Sequence, residues 1–127
     1  MNLFGSQAGI VLDTSAITHL RESVFLRTVI RQHMIERRPV VIPTQALLIA
    51  AWTSPITANE LQLPGLTITG IAEFIDEIVE HGHRHALTPD IAHVHYESVH
   101  LGHFPIVTAN PATYAHLPEP PDLITLP

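Results

Sequence analysis

Gly9-Ile10-Val11-Leu12-Asp13-Thr14-Ser15-Ala16-Ile17 decides how the rest of the chain is read. Three apolar residues lead straight into an acid, and two hydroxyl residues come next. A continuous apolar run of this length suits a strand buried on both faces of a parallel sheet. The strand is placed at residues 9–13, and a short helix from Ser15 to about Arg21 comes after it. Asp13 then stands at the carboxyl end of the strand, where open α/β sheets place their ligand chemistry. Thr14 or Ser15 can cap the helix, and Ser15 could equally turn its oxygen toward a metal held by Asp13. Read alone, Asp13 is either an acid that starts a helix or a ligand.

The same alternation continues outward from this stretch. Val40-Val41-Ile42-Pro43 reads as a second buried strand, and residues 44–52 as a helix apolar all round, hence deeply packed. Leu66-Thr67-Ile68-Thr69-Gly70 alternates as a short strand does. Phe104-Pro105-Ile106-Val107-Thr108-Ala109-Asn110-Pro111 echoes the opening stretch: an apolar run, a hydroxyl, then a short polar side chain. Leu123-Ile124-Thr125-Leu126 supplies a last strand. Between them, residues 24–36 form an amphipathic helix through Phe25, Leu26, Val29, Ile30 and Met34, with Arg27 and Arg31 on a solvated face. Pro55, Pro64 and Gly65 mark a loop, with a short helical piece at Asn59-Glu60. Thr88-Pro89-Asp90 is a helix start, with Thr88 at the N-cap, Pro89 at the first position and Asp90 in the first turn. That helix runs to about Leu101, with Gly102 as its C-cap. Residues 111–117 make one or two helical turns, and Pro118, Pro120 and Pro121 form a stiff linker to the last strand.

Strands alternating with helices predict one α/β domain over residues 1–127, a three-layer α/β/α sandwich with a mainly parallel central sheet. Right-handed crossovers bring the ends of the first and fourth strands to one edge. Asp13, Asn110 and the start of the Asp90 helix then share a cleft.

Composition narrows the function. The chain has 127 residues, 46 % hydrophobic and 14 % charged, which is globular rather than disordered. No apolar run reaches membrane-spanning length, and Met1-Asn2-Leu3-Phe4 lacks the basic region of a signal peptide. The absence of cysteine excludes disulfides and thiolate zinc sites. Together these features favour the cytoplasm. All six basic residues are arginine and the net charge is -6, so any contact with nucleic acid is local, through a metal and a few arginines.

Three clusters invite a metal. Glu73, Asp76, Glu77 and Glu80 form one helical stripe, but the apolar residues Ile71, Ala72, Phe74, Ile75, Ile78 and Val79 opposite make it a solvated face. His81, His83 and His85 alternate at a helix end and can bind zinc, nickel or copper, a pattern that reads as weak or adventitious binding. Asp90, His93 and Glu97 share one helical face, with Glu97 about 10 Å along the axis from Asp90.

Val11-Leu12-Asp13-Thr14-Ser15-Ala16 resembles the opening motif of PIN-domain proteins, a family that includes the virulence-associated protein C toxins of type II toxin–antitoxin pairs. Val40 to Pro43 with its apolar helix, Ala86-Leu87-Thr88-Pro89-Asp90-Ile91-Ala92, and Phe104 to Asn110 resemble later family segments in the same order. The resemblance implies a ribonuclease in which three or four carboxylates hold Mg²⁺ or Mn²⁺, the metal activating water against an RNA phosphodiester. Asp13 and Asp90 match two of those acids and would be the metal ligands. Ser15 and Thr108 match accessory hydroxyls. Asn110 stands where the family has its fourth acid, and the helix after the second strand carries no glutamate. The resemblance leaves two readings open. One is a metal-dependent RNA-cutting enzyme of toxin–antitoxin type with a reduced acidic cluster. The other is a PIN-like domain that no longer cuts and serves as a binding or regulatory module. An antitoxin-like protein partner and a homodimer belong to what the resemblance implies.

Overall fold

The computed structural model describes residues 8–54 and 65–127. The predicted loop at Pro55 and Pro64 and the helical piece at Asn59-Glu60 fall outside those residues. The described residues form five strands and five helices, in chain order β1 (Ile10–Leu12), α1 (Thr14–Thr18), α2 (Val24–Ile35), β2 (Val40–Pro43), α3 (Thr44–Thr53), β3 (Leu66–Thr69), α4 (Ile75–His85), α5 (Pro89–His100), β4 (Ile106–Thr108) and β5 (Leu123–Thr125). Short 3₁₀ segments precede α4 (Ala72–Phe74) and succeed β4 (Pro111–Tyr114).

These strands all pair in parallel, in the order β3-β2-β1-β4-β5. Helices flank this sheet in a three-layer α/β/α sandwich, as the alternation predicts. Every residue of β1, β2 and β4 is buried, whereas the edge strands β3 and β5 are partly exposed. That contrast explains why the central strands are continuous apolar runs and β3 alternates. Chain order runs one way from β1 to β3, then reverses to place β4 and β5 on the other side. The reversal falls between β1 and β4, in register Val11 to Ile106 and Leu12 to Val107. A crevice at the carboxyl ends of those two strands is where such sheets hold ligands.

Several local expectations are corrected. Asp13 itself, not Thr14 or Ser15, caps α1: its carboxylate accepts from Ala16 N–H. The helix that carries the acidic stripe starts as a 3₁₀ turn and extends to His85, so the alternate histidines lie at its C-terminal end. Of its apolar face only Ile78 is buried; Ile75 and Val79 stay half exposed. Helix α3 is not deeply packed. Ala46 and Ala50 are buried, while Leu48, Ile49 and Trp52 are exposed, Trp52 by 84 %. Small residues let that helix approach its neighbours; Leu47 packs partly against the core, while Leu48, Ile49 and Trp52 point outward.

Gly9 sets the entry to β1. A Cβ there would lie 2.2 Å from the Pro39 carbonyl oxygen and 2.7 Å from the Phe104 ring. The backbone oxygen cannot swing aside, because Pro39 O accepts from Ile10 N–H at 3.0 Å. Gly9→Ala is therefore expected to lower the unfolding free energy by about 1–3 kcal/mol or more. Urea denaturation measures this, and an unchanged midpoint would show that the Gly9–Pro39 contact is loose.

Candidate functional site

The carboxyl ends of β1 and β4 carry one connected set of polar side chains. Asp13 comes directly after β1 and is only 2 % exposed. Its Oδ1 accepts from Ala16 N–H at 2.9 Å and from Ser15 Oγ at 2.7 Å. Its Oδ2 accepts from the Tyr114 hydroxyl at 2.9 Å. A buried carboxylate without such donors would be strongly disfavoured; three donors make this one tolerable.

Ser15 also ties the first strand to the fourth. Its Oγ accepts from Ala109 N–H at 2.8 Å and lies 3.2 Å from Thr108 Oγ1. Thr108 is fully buried at the end of β4. Asn110 is exposed and joins the network through its backbone N–H, which donates to Thr108 Oγ1 at 2.9 Å.

Asp90 reaches the same end of the sheet from the first turn of α5. Thr14 Oγ1 donates to its Oδ2 at 2.5 Å, and Thr88 Oγ1 donates to its Oδ1 at 2.6 Å. Thr88 occupies the N-cap position, yet its hydroxyl serves the carboxylate and makes no capping bond to the backbone. The fold thus brings Asp13, Ser15, Thr108 and Asp90 together, with Thr14 as the link to Asp90.

Tyr114 is the participant that sequence reasoning missed. It lies on the 3₁₀ segment after β4, 101 positions from Asp13, and no local pattern announces the bond. Burial first, then the Asp13 charge and the bond to it, push the phenol far above its ordinary range. It therefore stays protonated and remains a donor.

His93 and Glu97 do not join this set. Both turn into the core, 0 % and 5 % exposed. His93 Nδ1 accepts from Gln45 N–H at 3.4 Å, and its Nε2 faces Glu97 Oε1 at 3.5 Å. The stripe Glu73, Asp76, Glu77 and Glu80 is exposed as predicted, with Glu80 paired to Arg84. Arg27 and Arg31 are exposed on α2. Among the described residues, no three His, Cys, Asp or Glu side chains are arranged to hold a metal ion. No described helix is long and apolar enough to cross a membrane.

The alternate histidines divide. His83 is exposed, while His81 packs onto α5: its Nε2 lies 2.6 Å from His95 Nδ1, with the two rings stacked. His95 is 7 % exposed. Burial, helped by His81, His85 and His103, holds the His95 imidazole down to about 4, and burial lowers His81 as well. His85 and Arg84 add to the lowering of His81 from α4, and the acids Glu119 and Asp122 line the cavity that His95 also lines.

Compared with protein-family models and with curated proteins, the chain matches none of either.

Tyr114→Phe leaves Asp13 Oδ2 short of a donor in a buried place, and should cost about 1–3 kcal/mol in chemical denaturation; a cost near zero would mean that water takes over. The neutral His95 makes the folded state bind fewer protons than the unfolded one between about pH 4 and the ordinary histidine range near 6.5. Its contribution is complete above that range and lost as pH falls toward 4, with a slope of at most about 1.4 kcal/mol per pH unit for one proton. Denaturation at stepped pH should show this slope, and His95→Gln should flatten it.

Proposed function

We propose that the chain is a PIN-like domain of the cytoplasm whose carboxylates have passed from metal ligation to internal hydrogen bonding, so that it acts as a binding or regulatory module. One observation carries the reading: all four carboxylate oxygens of Asp13 and Asp90 already accept from protein donors. The parallel sheet, with an acid after β1 and a hydroxyl at the end of β4, supports the PIN-like part.

Mg²⁺ and Mn²⁺ take hard oxygen ligands, and carboxylates are the right chemistry. The set present here does not fit a self-sufficient site. It offers two charges where affinity depends on charge count, and Asp13 is closed off from solvent by Tyr114 and Ser15. Asn110 adds no charge.

The net charge of -6 disfavours a nucleic-acid surface and leaves a protein partner, antitoxin-like or a second copy, as the better match. Leu48, Ile49 and Trp52, exposed together on α3, supply the apolar contact area such a partner needs.

The metal-dependent ribonuclease remains the second reading. It is favoured by the joining of Asp13, Ser15, Thr108 and Asp90 at the sheet's reversal point. That reading requires RNA phosphates to supply the missing ligand oxygens.

Calorimetric titration of Mn²⁺ into wild type, Asp13→Asn and Tyr114→Phe separates the two, with RNA cleavage assayed in parallel. The binding-module reading expects no saturable binding in wild type at millimolar Mn²⁺ and no metal-dependent cleavage. It also expects Tyr114→Phe, which frees a carboxylate oxygen, to bind Mn²⁺ more tightly than wild type. Saturable binding or cleavage in wild type that Asp13→Asn abolishes would overturn it in favour of the nuclease.

A further inference from the structure

A second polar cluster lies between α4 and α5, built from imidazoles. His81 and His85 are four residues apart on α4 and therefore share a face, the spacing by which one helix offers two imidazoles to one ion. Their ring centres are 4.8 Å apart. His95 enters from α5, also with its ring centre 4.8 Å from that of His81. The two helices can come this close because Gly82 is buried against Ala92; a Cβ on Gly82 would sit 3.2 Å from the Ala92 methyl. Ala86 then closes α4 in a left-handed conformation at φ 53°, with Leu87 N–H returned to Gly82 O at 2.9 Å. The histidine-bearing turn is thereby fixed against α5.

A cavity of about 560 Å³ opens beside these rings, with His103, Glu119 and Asp122 on its wall. His116 Nε2 donates to the His85 carbonyl oxygen at 2.8 Å and ties that wall to the end of α4.

We propose that His81, His85 and His95 form a binding site for a late first-row divalent cation of the zinc class, with the fourth ligand position facing this cavity. Imidazole nitrogen is the preferred donor for such ions, and three protein ligands with one open position is a familiar zinc arrangement. The rings do not yet stand around a common point. Two nitrogens on one tetrahedral zinc at about 2.0–2.1 Å lie about 3.3 Å apart, and ring centres about 5 Å apart. His81 Nε2 and His95 Nδ1 must part from 2.6 Å, while the centre of the His81 ring is already 4.8 Å from that of His85 and 4.8 Å from that of His95.

The proton count balances. One of the two facing nitrogens carries the hydrogen of the His81–His95 bond. On metal entry that hydrogen moves to the far nitrogen of its own ring, so both rings stay neutral and each presents a lone pair.

This site is separate from the Asp13 network and differs from the alternate-histidine pattern in the sequence. His83, central to that pattern, points to solvent, and the third ligand comes instead from the next helix.

The test is a Zn²⁺ titration of the tag-free protein at pH 7, monitored by imidazole NMR resonances and by calorimetry, with Mg²⁺ as the hard-ion comparison. The expected result is saturable one-to-one binding that moves the His81, His85 and His95 rings, with no response to Mg²⁺. His81→Ala and His95→Gln should each weaken Zn²⁺ at least tenfold, and His83→Ala should leave it unchanged. The wild-type ring shifts decide the matter even if His95→Gln fails to fold. Absence of saturable binding, or shifts confined to His83, His100 and other surface rings, would overturn the proposal.

Discussion

A negative charge with almost no access to water is the constraint on which the rest of the site depends. Asp13 cannot be hydrated where it stands, so the fold supplies donors from three places: its own helix through Ala16, the adjacent Ser15, and the distant Tyr114. Each donor fixes something larger. Ala16 fixes the start of α1, Ser15 binds α1 to the end of β4, and Tyr114 pins the 3₁₀ segment beneath it. The carboxylate thus acts as an internal tie between the first strand and the segments beyond the fourth. Removing it would leave a phenol and a hydroxyl facing a gap, which is costlier than losing any one bond.

Much of the scaffold is legible in the sequence because burial on both faces writes itself as an uninterrupted apolar run. Residues 10–12, 40–43 and 106–107 are such runs, and all three lie in central strands. The start of α5 is legible as well, since Thr88-Pro89 carries its own local chemistry. Burial of individual helix faces is harder to read. Helix α3 has no polar side to mark its exposed face, so Leu48 and Trp52 resemble core residues. The ends of α4 are obscured because its 3₁₀ opening and its left-handed ending at Ala86 depend on packing against α5.

The polar sites divide in the same way. Asp13 and Asp90 stand out because strand ends and helix starts are recognisable positions. Their convergence requires the sheet order, and their hydrogen-bond partners require the whole fold. Tyr114 and His95 are invisible for a common reason: each acts on a residue from another element, and nothing in its own neighbourhood marks it. Thr14 is a subtler case. Its position in sequence suits a helix cap, a local role, whereas its hydroxyl goes to an acid 76 positions away.

The parallel sheet also imposes an order on assembly. Strand β1 lies at the centre, yet its second neighbour is β4, so Val11 pairs with Val41 on one side and waits for Ile106 on the other. A chain emerging from the ribosome can form the β1–β2–β3 half early, with one flank of β1 still open. Throughout that interval Asp13 has only its local donors, because Tyr114 is 101 positions further on. Contacts so distant in sequence form slowly, and an unpaired central strand is a surface for misassociation. The bond from Tyr114 to Asp13 is therefore a late closing event, a signal that both halves of the sheet have met.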